Sequence, residues 1–242
     1  MVRVFLLLIV VWCSSCTGDP YISAPPDSSV ASRQVHVTGA MRNVMWKGQL
    51  GPSIALDSLR DRPGLCAVGP LTGLQGEITC LHGSCFVSRV SASGDMIVEH
   101  TFDAAAPFLV YAQVTAWDTV TLPTIYRGIA GLQAFVDSLT QDAERPFALQ
   151  LSGRVASARI HIQNHPDGAT ISSPTEAHAG QVKYHLLDEE VDVVGFFSTE
   201  HQGVFTHHDT YLHLHLITRD RRSMGHLEGV EWGDIQVYLP KE

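Results

Sequence analysis

With 242 residues, 45% of them apolar, the chain can bury a substantial core as one large domain or two small ones, which excludes a disordered protein. The balance is acidic, 16 Lys and Arg against 25 Asp and Glu, and no basic run appears. That excludes an electrostatic grip on a phosphate backbone, so nucleic acid is not an expected partner.

The chain opens on "MVRVFLLLIVVWCSSCTGDP", with Arg3 followed by an apolar run from Val4 to Trp12. The run is too short to span a bilayer and reads as an export signal over residues 1–16. Ser14 and Ser15 before Cys16 resemble a bacterial lipoprotein cleavage box, which would make Cys16 a lipidated first residue and a membrane anchor. An ordinary signal cleaved nearby is the other reading, since Cys13 stands where leucine is usual. Both put the mature protein outside the cytoplasm, in the periplasm or at the cell surface. Residues 17–32, rich in Pro, Ser and Gly, read as a tether.

The expected domain covers 33–242. Its first half, roughly 33–145, starts with strands "QVHVTG" and "NVMWKGQL". Next comes "SIALDSLRDRPG", a short helix capped by Ser53 and stopped at Pro63-Gly64. Strands follow at "LCAVGPL", "GEITC" and "CFVSRV", then one continuous run, "FLVYAQVTAW", rich in β-branched and aromatic residues. Cys80 and Cys85 flank a hairpin turning at His82-Gly83 and face each other in that register, which permits a disulfide after export. Cys66 reads as a buried free thiol.

The clearest helix is "RGIAGLQAFVDSLTQDAE", where Ile129, Leu132, Phe135, Val136 and Leu139 recur at helical spacing. The second half, roughly 146–242, holds strands "FALQLSG" and "RVASARIHIQ", a polar loop from Asn164 to Gln181, then "VDVVGFFS", "TYLHLHLIT" and "GDIQVYLP". The fold class is α+β, with two β-rich halves of mixed or antiparallel sheet joined by a helix.

In "TYLHLHLITRDRRSMGHLEG", strand alternation puts His213 and His215 on one face and Leu212, Leu214 and Leu216 on the other. If the chain turns symmetrically about Asp220-Arg221, His226 falls opposite His215 on the same face. A single hairpin then presents three imidazoles to one ion with a coordination position left open, as catalytic metals require. Zinc suits such a set first, before copper, iron or nickel. "THHD", Thr206 to Asp209, adds possible ligands, with a solvated loop as the first reading.

This hairpin resembles the metal-binding signature of the bacterial acetolactate decarboxylases, G-Y-H-L-H-F-I, a polar turn, then G-G-H-V. The likeness extends to "GLQGE" against the family's G-L-D-G-E, to "PFALQLSGRV" against P-F-A-I-x-I-x-G-x-F, and to "VVGFFSTEHQGVF" against G-T-L-V-G-F-x-T-P-x-Y. It covers roughly Val35 to Pro240. The resemblance implies two β-rich halves with zinc near their junction, His213, His215 and His226 as ligands, and Glu77 as the glutamate beside the metal. It also implies a small 2-hydroxy-3-keto acid as substrate, and a homodimer is the expected assembly. The expected reaction is decarboxylation of 2-acetolactate to acetoin and carbon dioxide.

Three departures go with it. A gapless alignment from Gly153 puts His161 where the family has an arginine, with Arg159 two residues away on the same face as a second substitute. Pro70 replaces the threonine of the family's G-T-F segment. The family's C-terminal glutamate has no counterpart past "VYLPKE". The alternative is therefore an exported, non-catalytic metal- or ligand-binding module that keeps the histidines. A cupin-type enzyme also uses His-x-His on a strand, but it expects a nearby glutamate and a distant last histidine. Here Asp220 is the only acid nearby and His226 follows too soon.

Overall fold

Residues 33–241 are described by the structure, a computed structural model. The export-signal, lipoprotein and tether readings of residues 1–32 lie outside the described residues. Within the latter, no helix is long and apolar enough to cross a membrane.

The chain runs β1 (His36–Thr38), α1 (Met41–Lys47), β2 (Ile54–Ala55), β3 (Leu65–Pro70), β4 (Glu77–Leu81), β5 (Ser84–Val90), β6 (Met96–His100), β7 (Ala105–Ala106), β8 (Leu109–Gln113) and β9 (Trp117–Thr121). It continues with α2 (Gly128–Leu139), β10 (Phe147–Gln163), α3 (Pro174–Ala179), β11 (Gln181–Phe197), β12 (Leu212–Thr218) and β13 (Met224–Pro240). One sheet has the order β1-β8-β3-β4-β5-β6; β2 and β7 form a separate ribbon. The second has the order β10-β11-β12-β13-β9, and β13 also pairs with β10, so four of its strands close into a ring. Closure leaves those strands no free edge over the paired stretch.

The sheets stack through an apolar layer. Val68, Leu81 and Val110 of the first meet Ala148, Val194, Phe196, Ile217 and Met224 of the second. The other side of the second sheet is covered by α2, whose Leu132, Phe135 and Val136 pack with Leu212, Leu214 and Leu216. The alternation read in β12 thus separates a leucine face toward the helix from a face turned to the first sheet. Leu139, expected on the buried stripe of α2, is exposed, because the helix ends there.

Some local readings differ from what forms. "NVMWKGQL" is not a strand. Met41 and Val44 bury one face of α1, and Gly48 stops it at a left-handed φ of 60°. The helix expected after Ser53 is a single 3₁₀ turn, Leu56–Leu59, with Ala55 and not Ser53 at its N-cap. "FLVYAQVTAW" breaks in two: β8 lies in the first sheet, and β9 pairs with β13 in the second. The loop from Asn164 to Gln181 contains α3, whose N-cap Ser173 Oγ accepts from the Glu176 N–H at 3.2 Å. β10 and β11 are single 17-residue strands, paired from Phe147↔Phe197 to Gln163↔Gln181.

The β4–β5 hairpin turns at His82-Gly83, both with positive φ, and Cys80 and Cys85 opposite each other are disulfide-bonded. Cys66 is free and buried, and burial pushes its thiol up to about 12.

Candidate metal centre

Within the β12–β13 hairpin, His215 pairs with His226, Leu216 with Gly225 and Ile217 with Met224, the register of a turn centred on Asp220-Arg221. On its other edge His226 pairs with His161 of β10. Gly225 makes this close approach feasible, because a Cβ there would meet the His161 carbonyl oxygen at 2.5 Å.

The rings of His213, His215 and His226 lie 5.0–5.4 Å apart between centroids, and one ligand nitrogen from each falls within 4.8 Å of the others. His215 Nδ1 hydrogen-bonds Thr79 Oγ1 at 3.1 Å, which orients the ring and leaves Nε2 with no partner. His213 Nδ1 is also buried, and neither nitrogen has a partner among the described residues. Two orphaned imidazole nitrogens in one buried cluster are costly unless an ion takes their lone pairs, so the donor set fits a metal. Burial pushes His215 down to about 3, and burial together with the neighbouring imidazoles holds His213 and His226 well below the usual range. All three are therefore neutral near pH 7, the form that binds a cation.

Glu77, the first residue of β4, comes from the other sheet. Its Oε2 lies 3.7 Å from the free His215 Nε2, and its Oε1 accepts from the Gln163 N–H at 3.2 Å. Burial pushes this carboxyl well above the usual range, with the Gln163 hydrogen bond only partly opposing it.

His161 lines the same pocket, stacked on His226 at 4.8 Å. Both its ring nitrogens are engaged: Nδ1 with Glu228 Oε1 at 3.1 Å and Nε2 with the Gln181 amide at 3.2 Å. Its hydrogen bond, reinforced by Lys183, pulls the Glu228 carboxyl down to about 2. Arg159 is not brought in. It is exposed, with its guanidinium beside Gly229, and is absent from the pocket lining. It keeps the face of His161 on β10 but sits two residues along the strand, beyond the covered pocket; opposite it β13 carries a bulge, since Ile160 pairs with Leu227 but Arg159 with Gly229, so Glu228 is the extra residue of β13.

The cavity is small, about 40 Å³. Met41, Val44 and Phe108 supply an apolar wall; Pro70 also lines it, and Gln163, His178 and His207 add polar groups. The sequence offered little to find Gln163 and His178, which meet the hairpin only through the fold. His207 belongs to the "THHD" stretch, read first as a solvated loop and second as a source of ligands; it is partly buried, with its ring 5.4 Å from that of His226.

A family model described as alpha-acetolactate decarboxylase matches residues 38–241. Among solved structures, the chain is similar to the acetolactate decarboxylase of Bacillus subtilis strain 168, with 17% identity, 86% of each chain covered and a TM-score of 0.72. It is likewise similar to the acetolactate decarboxylase of Bacillus subtilis subspecies spizizenii, with 16% identity, 86% of each chain covered and a TM-score of 0.71. A Staphylococcus aureus protein described as of unknown function and similar to alpha-acetolactate decarboxylase shares 18% identity over 84% of each chain, with a TM-score of 0.71. No curated protein matches in sequence.

Proposed function

The chain belongs to the alpha-acetolactate decarboxylase family, and from that premise we propose that it is a zinc-dependent carbon–carbon lyase converting 2-acetolactate to acetoin and carbon dioxide. The observation that carries this reading is the pair of orphaned nitrogens on His213 and His215 beside His226, with Glu77 in reach.

His213, His215 and His226 would hold the ion, which when bound polarises the keto and hydroxyl oxygens and offsets the charge left as carbon dioxide departs. Burial raises the Glu77 carboxyl well above the usual range, which favours its protonated form, and from there it can deliver a proton to the carbon that has lost carbon dioxide, yielding acetoin. Met41, Val44 and Phe108 keep water from the substrate carboxylate, which favours its loss as a neutral gas.

One observation favours a second reading, a metal- or ligand-binding module without turnover. No arginine or lysine lines the described pocket, and His161 has no free nitrogen to take an arginine's place. The test is to incubate zinc-loaded protein with racemic acetolactate and follow acetoin and carbon dioxide in equal amounts. The lyase reading expects both at a rate well above a His213→Ala control, which shows only the spontaneous decarboxylation of a β-keto acid. Metal binding without acetoin above that control would leave the binding module.

We also propose that the protein acts outside the cytoplasm, a reading supported by the Cys80–Cys85 disulfide. Intact mass of the protein from its own cells is expected to show a chain cleaved near Cys16. An uncleaved chain starting at Met1 would contradict export by this signal.

A further inference from the structure

Gln163 ends β10 and is 7% exposed. Its backbone N–H is taken by Glu77, but its side-chain Oε1 is buried and has no hydrogen-bond partner among the described residues. The orphaned atoms on pocket-lining residues belong to His213, assigned above to the ion, and to Gln163. The neighbouring amide, Gln181, is committed to His161. An unsatisfied amide oxygen on a pocket-lining residue favours a ligand that satisfies it.

Resting on the decarboxylase reading, we infer that Gln163 is a specificity-determining residue that selects 2-hydroxy acids by pairing its amide with the hydroxyl and the carboxylate together. A primary amide presents an acceptor oxygen and a donor nitrogen on one edge. A 2-hydroxy acid presents the complement, an O–H donor and a carboxylate acceptor on adjacent carbons. The Oε1 accepts from the hydroxyl, and the Nε2–H donates to the carboxylate and fixes its rotation. With no lysine or arginine among the described residues that line the pocket, recognition of the carboxylate falls to neutral donors of this kind. A 2-keto acid or a 2-alkoxy acid lacks the O–H and leaves Oε1 unpaired, which is how a polar site rejects a near-isostere.

The test is calorimetric binding to the full-length zinc-loaded chain, using 2-hydroxy-2-methylpropanoate and 2-methoxy-2-methylpropanoate. Neither probe has a 3-keto group, so neither is turned over. The ion contributes to the preference for the hydroxy acid in every variant. The change in that preference between wild type and Gln163→Leu therefore isolates the amide. The preference is expected to fall about tenfold in Gln163→Leu, with metal per chain unchanged. An unchanged preference overturns the inference. So does loss of metal from the variant, which would assign the amide to the ion, and so does a wild type that binds neither probe.

Should the leucine variant not fold, Gln163→Glu keeps the shape. Its carboxylate is expected to weaken both probes by at least about tenfold, and unchanged binding again overturns the inference. Because the readout needs no turnover, a wild type that binds and discriminates but makes no acetoin fails the lyase reading alone.

Discussion

His215→Ala is expected to lower bound metal from about one ion per chain to a small fraction, and to cut acetoin formation by at least about a thousandfold. His215 is central to the donor set: Thr79 fixes its ring, its free Nε2 faces Glu77, and it pairs with His226 across the hairpin. The metal-free protein should also show the site in its acid sensitivity. Burial depresses the imidazole pKa values of all three histidines in the folded state. Above pH 6.5 the folded and unfolded chains are both unprotonated at these rings. As pH falls below 6.5, the unfolded chain takes up protons that the folded chain refuses, and stability is lost. Each ring contributes a slope of up to about 1.4 kcal/mol per pH unit. Thermal melts of metal-free wild type from pH 7 to 5 should therefore fall more steeply than those of His215→Ala. Parallel melts would mean that the rings do not titrate as buried groups.

Glu77→Gln is expected to keep the ion and lose the reaction, with acetoin formation down by about 10² to 10⁴-fold, the usual worth of a positioned proton donor. Glutamine preserves shape and can still accept the Gln163 N–H, but it carries no transferable proton. Loss of metal in this variant would instead make Glu77 a ligand above all. A stability measurement separates the two states of the carboxyl. Its folded pKa is raised, so between the ordinary carboxylate range and that raised value the folded chain holds a proton the unfolded chain has released. Metal-free stability therefore falls as pH rises through that window. Glu77→Gln should be the more stable metal-free protein at pH 8, with the gap closing toward pH 4.5.

The histidine hairpin was legible because its determinants are local. Alternation sorts His213 and His215 from the leucines, and counting outward from Asp220-Arg221 reaches the pair His215↔His226. The Cys80–Cys85 pair was readable for the same reason. The rest of the pocket depends on contacts distant in sequence. Gln163 meets Glu77 across 86 positions, and His178 and His207 approach only when the loops around α3 and before β12 fold over the hairpin. Arg159 was expected near His161 from strand period alone; it shares that face but lies two residues along β10, where it is exposed and outside the pocket lining.

α1 was misread because a segment as short as Met41–Lys47, apolar at Met41, Val44, Met45 and Trp46, satisfies both periods. Spacing of Met41 and Val44 with Gly48 as a stop favours the helix. The "SPTE" of α3 was an unused capping signal, Ser173 followed three residues later by Glu176. The transfer of β9 to the second sheet has no local mark: its residues look like a continuation of β8, and only pairing with β13 separates them.

The most direct measurement is metal content of the untagged full-length protein after exhaustive dialysis, read by mass spectrometry beside protein concentration. About one zinc per chain is predicted, lost together in His213→Ala, His215→Ala and His226→Ala. Wild-type protein with less than about a tenth of an ion per chain that still forms acetoin would contradict a metal centre at these three histidines.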